Sequence, residues 1–222
     1  MSKGNVEITK DKDSEHFDVL IVGAGISGVA AGVYLNKYCP SEKFLILEAE
    51  ESYGGTWWTH RSPGIRSDSD LHTFGYSFKP WIGPPIATAS EILSYMGDVI
   101  QENRLEKSIR YKHRILRANW CNAEKLWFIE AECLENKELT HFRVNFLWMC
   151  QGYYRHNEGY TPDWDGVSDF KGRIAHPENW PDDLDYKDKK VVVIGSGATA
   201  ATVVPAMASS AKHVTMLQRT PT

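Results

Sequence analysis

Twice in this chain an apolar run ends in a glycine turn and continues as a helical pattern, and few sequence features restrict a fold so tightly. The first copy reads Val19-Leu20-Ile21-Val22, then Gly23-Ala24-Gly25-Ile26-Ser27-Gly28, and returns as Phe44-Leu45-Ile46-Leu47-Glu48. The second reads Val191-Val192-Val193-Ile194, then Gly195-Ser196-Gly197-Ala198-Thr199-Ala200, and returns as Val214-Thr215-Met216-Leu217 after a helical stretch to about Ala211. Each is strand, turn, helix, strand, with the turn placed where a helix begins.

This pattern predicts an α/β fold containing two Rossmann-like units, each able to hold a dinucleotide. Gly23 allows the tight turn off the strand, Gly25 lets backbone approach a pyrophosphate, and Gly28 brings helix and sheet together. The phosphate then meets the positive end of the helix, near Ile26 and Ser27 in the first copy and near Gly197, Ala198 and Thr199 in the second. The two copies differ at the end of the second strand. Glu48 can accept hydrogen bonds from a ribose diol and repels a 2′-phosphate, which favours FAD or NAD. Gln218-Arg219 stands at the equivalent place in the second copy, where a guanidinium suits the 2′-phosphate of NADPH; an exposed arginine at a strand end is the plainer alternative. An acid in one site and a base in the other point to FAD with NADPH beside it, hence an oxidoreductase.

The chain has 222 residues, enough for one large or two small domains, and a formal net charge of −4. That mild acidity, with no basic stripe, argues against a nucleic-acid partner. Residues 1–15 are polar and read as a disordered tail without the apolar core of a signal peptide, and no run is long enough to span a membrane, so a cytoplasmic setting is expected. Cys39, Cys121, Cys133 and Cys150 lack the spacing of a zinc or redox site; no metal is expected, and buried free thiols are the expected state.

The first helix places Ile26, Val29, Ala30 and Val33 on one stripe and stops near Pro40. Beyond Glu48, Gly54-Gly55-Thr56-Trp57-Trp58, Ser62–Asp70 and Phe74–Trp81 are dense in glycine, proline and aromatics, which predicts a long ordered loop. Its rings could wall a flat cofactor, with Gly55, Thr56 and Trp57 nearest, or form a small aromatic core of their own. Ser90 is read as the cap of a helix to about Asn103, with Ile92, Leu93, Met96, Val99 and Ile100 inward and Met96 as core filler. Strand-forming runs from Ile115 to Met149, with a hairpin turn at Asn136-Lys137, predict a small antiparallel insertion that returns to the parallel sheet. Gly152 follows a buried strand, where backbone can approach a cofactor. The division expected is a tail at 1–15, an FAD-binding domain at 16–155, a linker at 156–188 and the start of an NADPH-binding domain at 189–222, truncated at Thr222.

Within that linker, Phe170, Gly172, His176, Trp180 and Pro181 fit F-x-G-x-x-x-H-x-x-x-W-P at every fixed position. Lying between two dinucleotide motifs, this resembles the fingerprint of the Baeyer–Villiger flavin monooxygenases. A second pattern of that family, G-G-x-W-x-x-x-x-aromatic-P-G-x-x-x-D, is met by Gly54, Gly55, Trp57, Pro63, Gly64 and Asp68, with Ser62 where an aromatic is expected. The run Gly64–Asp70, with Phe74-Gly75-Tyr76 and Asp183-Leu184-Asp185-Tyr186, is similar to the ethionamide-activating branch.

The resemblance covers nearly all of the chain from Phe17 and implies an FAD-dependent, NADPH-using monooxygenase. Such enzymes convert a ketone to an ester, or oxidise sulfur in a thio-compound, with O₂ and through a flavin peroxide. It also implies that Asp68 is the charged residue closest to flavin and nicotinamide, and that His176 governs the coupling of the two domains; a satisfied structural histidine is the alternative. Family members are longer, so the chain by itself is expected not to turn over, and a non-catalytic dinucleotide-binding protein stays open beside the enzyme. A flavin disulfide reductase shares the two-site plan but needs a closely spaced cysteine pair after Glu48, which is missing.

Overall fold

The computed structural model describes residues 14–154 and 159–220. In order, its elements are β1 (Glu15–Val22), α1 (Ile26–Tyr38), β2 (Phe44–Leu47), the single-turn helices α2 (Thr56–Thr59) and α3 (Leu71–Phe74), and α4 (Ala89–Glu102). Then come β3 (Ile109–Arg110), β4 (His113–Cys121), β5 (Leu126–Cys133), β6 (Leu139–Met149), β7 (Lys190–Ile194), α5 (Ala198–Ala208) and β8 (His213–Leu217). Two compact units emerge, one of residues up to Gly55 with Met96–Gly152, the other of Thr56–Tyr95 with residues from Tyr153 on.

In the first unit, β1 is central to a six-stranded sheet ordered β3-β2-β1-β6-β5-β4. It pairs in parallel with β2, Val19 opposite Phe44, and with β6, Phe17 opposite Val144. The strands β4 and β5 are the expected antiparallel insertion, and β6 carries the chain back beside β1. The hairpin between β5 and β6 turns at Asn136-Lys137, where Asn136 Oδ1 accepts the Glu138 N–H (3.0 Å) and Lys137 takes the left-handed conformation. Phe17, Leu20, Leu45, Leu47, Ile129, Phe142 and Val144 make the core. Each such side chain contributes about 1.5–3 kcal/mol on full burial.

Several sequence expectations shift. Glu15 is not tail: it opens β1, and its carboxylate takes both Arg110 guanidinium nitrogens (2.5 and 2.6 Å); residues 1–13 of the expected tail lie outside the described residues. On α1 Val29 and Val33 are buried as expected, but Ala31, Gly32 and Leu35 join them while Ile26 and Ala30 are only partly buried. The helix is wedged: a Cβ on Gly32 would lie 3.2 Å from Ile46 and 3.3 Å from Leu105. Thr88, not Ser90, caps α4: its hydroxyl accepts the Glu91 N–H, and the Glu91 carboxylate accepts the Thr88 N–H, a reciprocal capping box. Met96 is fully buried. The four cysteines are free but not buried, Cys39 being exposed and the others half-buried.

In the second unit β7 and β8 pair in parallel, Lys190 opposite His213 and Ile194 opposite Leu217, with α5 ending at Ala208, a turn earlier than expected. The loop after Glu48 holds α2, α3, turns and an antiparallel bridge between Arg66 and Thr88. Its rings pack on each other: Tyr76 stacks on Phe78 (4.8 Å) and Tyr95 (5.4 Å), and Trp81 meets Tyr95 edge-on (5.4 Å). Tyr95 Oη accepts the Tyr76 N–H (2.8 Å) and donates to the Lys79 carbonyl (2.5 Å). For Tyr76, Phe78 and Trp81, then, the aromatic core is what forms.

Residues 159–188, the expected linker, form only short 3₁₀ turns at Val167–Asp169 and Pro177–Asn179 and gather with the second unit; the expected start at 155/156 lies outside the described residues. The division by packing differs from that read in sequence, because Thr56–Tyr95 gathers with the second unit and not with the first. Such gathering depends on contacts far apart in the chain, which local pattern does not display.

Candidate functional site

Gly23 takes φ +97°, and a Cβ there would lie 2.8 Å from the Cys150 carbonyl, so β6 closes directly over the turn. The Gly23 N–H donates to the Leu47 carbonyl (2.7 Å), tying the turn to β2. A Cβ on Gly28 would run into the Gly23 carbonyl, which shows how closely α1 is drawn to the strand. Gly25 is different: a Cβ there would meet only Gly55 Cα, at 3.8 Å. It is the N-cap of α1, with no side-chain cap and no acid in the first turn that holds Ile26 and Ser27. Open space before a helix start with a glycine N-cap and no first-turn acid is what an anionic diphosphate requires.

Glu48 is buried, and its carboxylate takes the Ala24 N–H at 2.6 Å and the Glu50 N–H at 2.9 Å. Each oxygen keeps a further lone pair for a ribose hydroxyl. Beside it, burial chiefly, with Tyr53, Glu48 and Glu106 adding, pushes the Tyr111 phenol up to about 12, so it keeps its proton next to the acid. Gly55 (φ +55°) and Gly152 (φ +72°) have backbone that a side chain resists, and nothing crowds Gly152. The first unit thus brings together Gly23, Gly25, Ile26, Ser27, Gly28, Glu48 and Gly55, and holds Gly152 just beyond Cys150.

The second turn repeats the first in backbone terms. The Gly195 N–H donates to the Leu217 carbonyl (2.8 Å), Gly195 takes φ +121°, and Gly197 caps α5 with neither a side-chain cap nor a first-turn acid where Ala198 and Thr199 stand. Nothing lies within 4 Å of a Cβ on Gly195 or Gly197. Arg219 is exposed beyond the end of β8.

The remaining expected site residues also fall in the second unit. Thr56 opens α2, and Trp57 meets Phe74 edge-on at 6.1 Å. Asp68 is exposed and paired to Arg66 Nε at 3.1 Å. His176 caps a 3₁₀ turn, its Nδ1 accepting the Glu178 N–H (3.2 Å), and a Cβ on Gly159 would collide with its ring. Ser62, where an aromatic was expected, is buried at 2% exposure, so the loop closes around a small side chain.

Sequence reasoning missed the Ala24 N–H clamp on Glu48, Tyr111 beside it, and Arg66 as the partner of Asp68. Arg66 alone carried a local signal, its charge two residues from Asp68. Among the described residues no group of His, Cys, Asp and Glu could hold a metal, and no helix is long and apolar enough to cross a membrane.

Known proteins resemble this chain in sequence and fold. A family model for an NAD(P)-binding Rossmann-like domain matches residues 21–82, and one described as flavin-binding monooxygenase-like matches residues 77–222. The chain belongs to the flavin-binding monooxygenase-like family. It is 53% identical to a probable FAD-binding monooxygenase AlmA of an Acinetobacter species, over 92% of this chain and 41% of that protein. It is 50% identical to the FAD-containing monooxygenase EthA of Mycobacterium tuberculosis, over 94% of this chain and 43% of that protein. The chain therefore spans less than half the length of these relatives. Among solved structures, an oxidised steroid monooxygenase bound to NADP superposes with TM-score 0.79 at 30% identity, covering 92% of this chain and 39% of that one. A cyclohexanone monooxygenase bound to ε-caprolactone gives 0.80 at 25% identity, over 94% and 40%.

Proposed function

We propose that this chain supplies the FAD-binding unit and the opening of the NADPH-binding unit of a Baeyer–Villiger type monooxygenase, which inserts one oxygen atom of O₂ into a ketone or onto the sulfur of a thio-compound. One observation carries the reading: two helices that start from a glycine N-cap with no acid in the first turn, one beside a buried acid and one beside an exposed arginine, in a single chain of this family. The turn at Gly25 and the first turn of α1 receive the FAD diphosphate, and Glu48 takes the ribose hydroxyls. Gly55 and Gly152, both of the first unit, approach the rest of the flavin. Gly195, Gly197, Ala198 and Thr199 receive the NADPH diphosphate, and Arg219 the 2′-phosphate.

Bound flavin supplies the electron transfer and oxygen activation that no side chain here provides. The residues of this chain orient it. Asp68, held by Arg66, sets the charge next to flavin and nicotinamide, and His176 braces the linker that couples the domains. The ketone class is supported by the cyclohexanone- and ε-caprolactone-bound relatives, a cyclic ketone and its ring-expanded ester. Four free cysteines support a reducing, cytoplasmic setting.

The test is to express the full reading frame containing this chain, load it with FAD, and supply NADPH with cyclohexanone or a thioether. Product heavier by one oxygen atom, with NADPH preferred to NADH, is expected. NADPH oxidation that yields only hydrogen peroxide with every ketone and thioether tried would overturn the reading.

A further inference from the structure

Gly64 belongs to the sequence pattern that ends in Asp68, and it lies against α5. It takes φ +75°, and a Cβ on it would lie 2.5 Å from the Thr202 carbonyl and 2.8 Å from Ala206 Cβ. Backbone of the loop thus presses on α5 more closely than any side chain permits. Thr202 is buried and its hydroxyl is turned back to the Thr199 carbonyl (2.9 Å), so this face of α5 is fixed from its first turn to the contact.

The four residues that follow Gly64 are framed. The Ser67 N–H donates to the Ala87 carbonyl (2.9 Å), the Ala89 N–H donates to the Ile65 carbonyl (3.1 Å), and Arg66 bridges Thr88. Ser67 Oγ donates to the Ser69 carbonyl (3.0 Å) and accepts the Ser69 N–H (3.2 Å), and Arg66 holds Asp68. A segment so framed moves as a piece, so its place is set where it touches the helix.

We propose that Gly64 is a positioning residue: it seats the Arg66–Asp68 pair on α5, so that the helix which receives NADPH, and not the FAD unit, carries this acid. The inference rests on the functional reading above, which places a dinucleotide at the start of α5. It deepens that reading by making nicotinamide binding the event that fixes Asp68.

The experiment uses the protein from the full reading frame, loaded with FAD, and three variants. Gly64→Asn tolerates positive φ but adds a Cβ, Ala206→Val presses on the loop from the helix side, and Ala206→Gly loosens the seat without a clash. Amide exchange over residues 65–70 is followed with and without NADP⁺, alongside flavin content and NADPH oxidised per oxygenated product. In the parent protein NADP⁺ slows exchange at 65–70. In Gly64→Asn and Ala206→Val that slowing falls several-fold and NADPH oxidised per product rises several-fold, with flavin content unchanged; Ala206→Gly moves both the same way, less far. The inference is overturned if the slowing survives in all three variants. It is equally overturned if the parent shows NADP⁺ protection in the first turn of α5 and none at 65–70. Exchange reads the seat without turnover, so a parent with the expected exchange pattern but no oxygenated product would refute the function alone.

Discussion

The two glycine turns share a backbone and differ in everything around it. In both, the first glycine donates to the end of the second strand, at 2.7 Å in one and 2.8 Å in the other, and both helices start from a glycine N-cap. Yet β1 is enclosed, with Leu20 and Ile21 at 0% exposure, whereas on β7 Val192 is 60% and Ile194 57% exposed. The first turn is held by β6 at Gly23 and by the Glu48 carboxylate at Ala24, while a Cβ at Gly195 or Gly197 would meet nothing. A motif specifies the turn; in the first unit the backbone that follows β6 and the Glu48 carboxylate hold it in place.

The largest effect expected is from Gly25→Val. Gly25 has an ordinary φ of −71° and room for a side chain, so the fold should survive while the diphosphate loses its place. Flavin content near zero is expected, with the unfolding midpoint only slightly below that of the flavin-free parent because Val is a poorer N-cap than Gly; retained flavin would mean that the diphosphate lies elsewhere. Gly28→Ala should act in the opposite manner, on the fold itself. Its methyl meets a backbone carbonyl that cannot step aside, so the overpacking cost of about 1–3 kcal/mol exceeds the roughly 1 kcal/mol that Ala gains over Gly in a helix. Ala200 already occupies the matching place in α5 and is buried there, so Ala200→Gly should cost that helical preference, about 1 kcal/mol, and the burial of one methyl, about 0.8 kcal/mol. Denaturant midpoints would break the comparison if Gly28→Ala raised the midpoint, as a helical Gly→Ala change does where the methyl has room.

Arg219→Ala should weaken NADPH relative to NADH by about 1.5–3 kcal/mol, the worth of a charge-assisted contact, and leave unfolding unchanged because the side chain is exposed. Equal loss for both cofactors would make Arg219 a surface residue only. The smallest effect concerns acid. The Arg110 guanidinium holds the Glu15 carboxyl below its ordinary value of 4.5, so the pair's contribution is complete above that pH and is lost as pH falls through the lowered value. Both partners are about a third exposed, so Glu15→Gln should cost only about 0.5–1 kcal/mol at neutral pH and flatten the acid limb of the stability curve.

What was legible in sequence was whatever a short stretch decides by itself. Apolar runs, glycines at fixed spacing and the acid or base that ends a strand set both repeats, the antiparallel insertion and the positions of Glu48 and Arg219, because strand period, turn conformation and helix start are local properties. The tertiary structure alone decided which distant groups meet. Arg110 lies 95 residues from Glu15, Ala24 lies 24 from Glu48, and Gly64 reaches Thr202 across most of the chain. Such pairings depend on how sheets and helices stack. The same freedom explains why the segment from Thr56 to Tyr95 packs with residues that follow it by more than 50 positions, and why Ser62 can be buried where a ring was expected: packing fills volume, and volume is a property of the assembled fold.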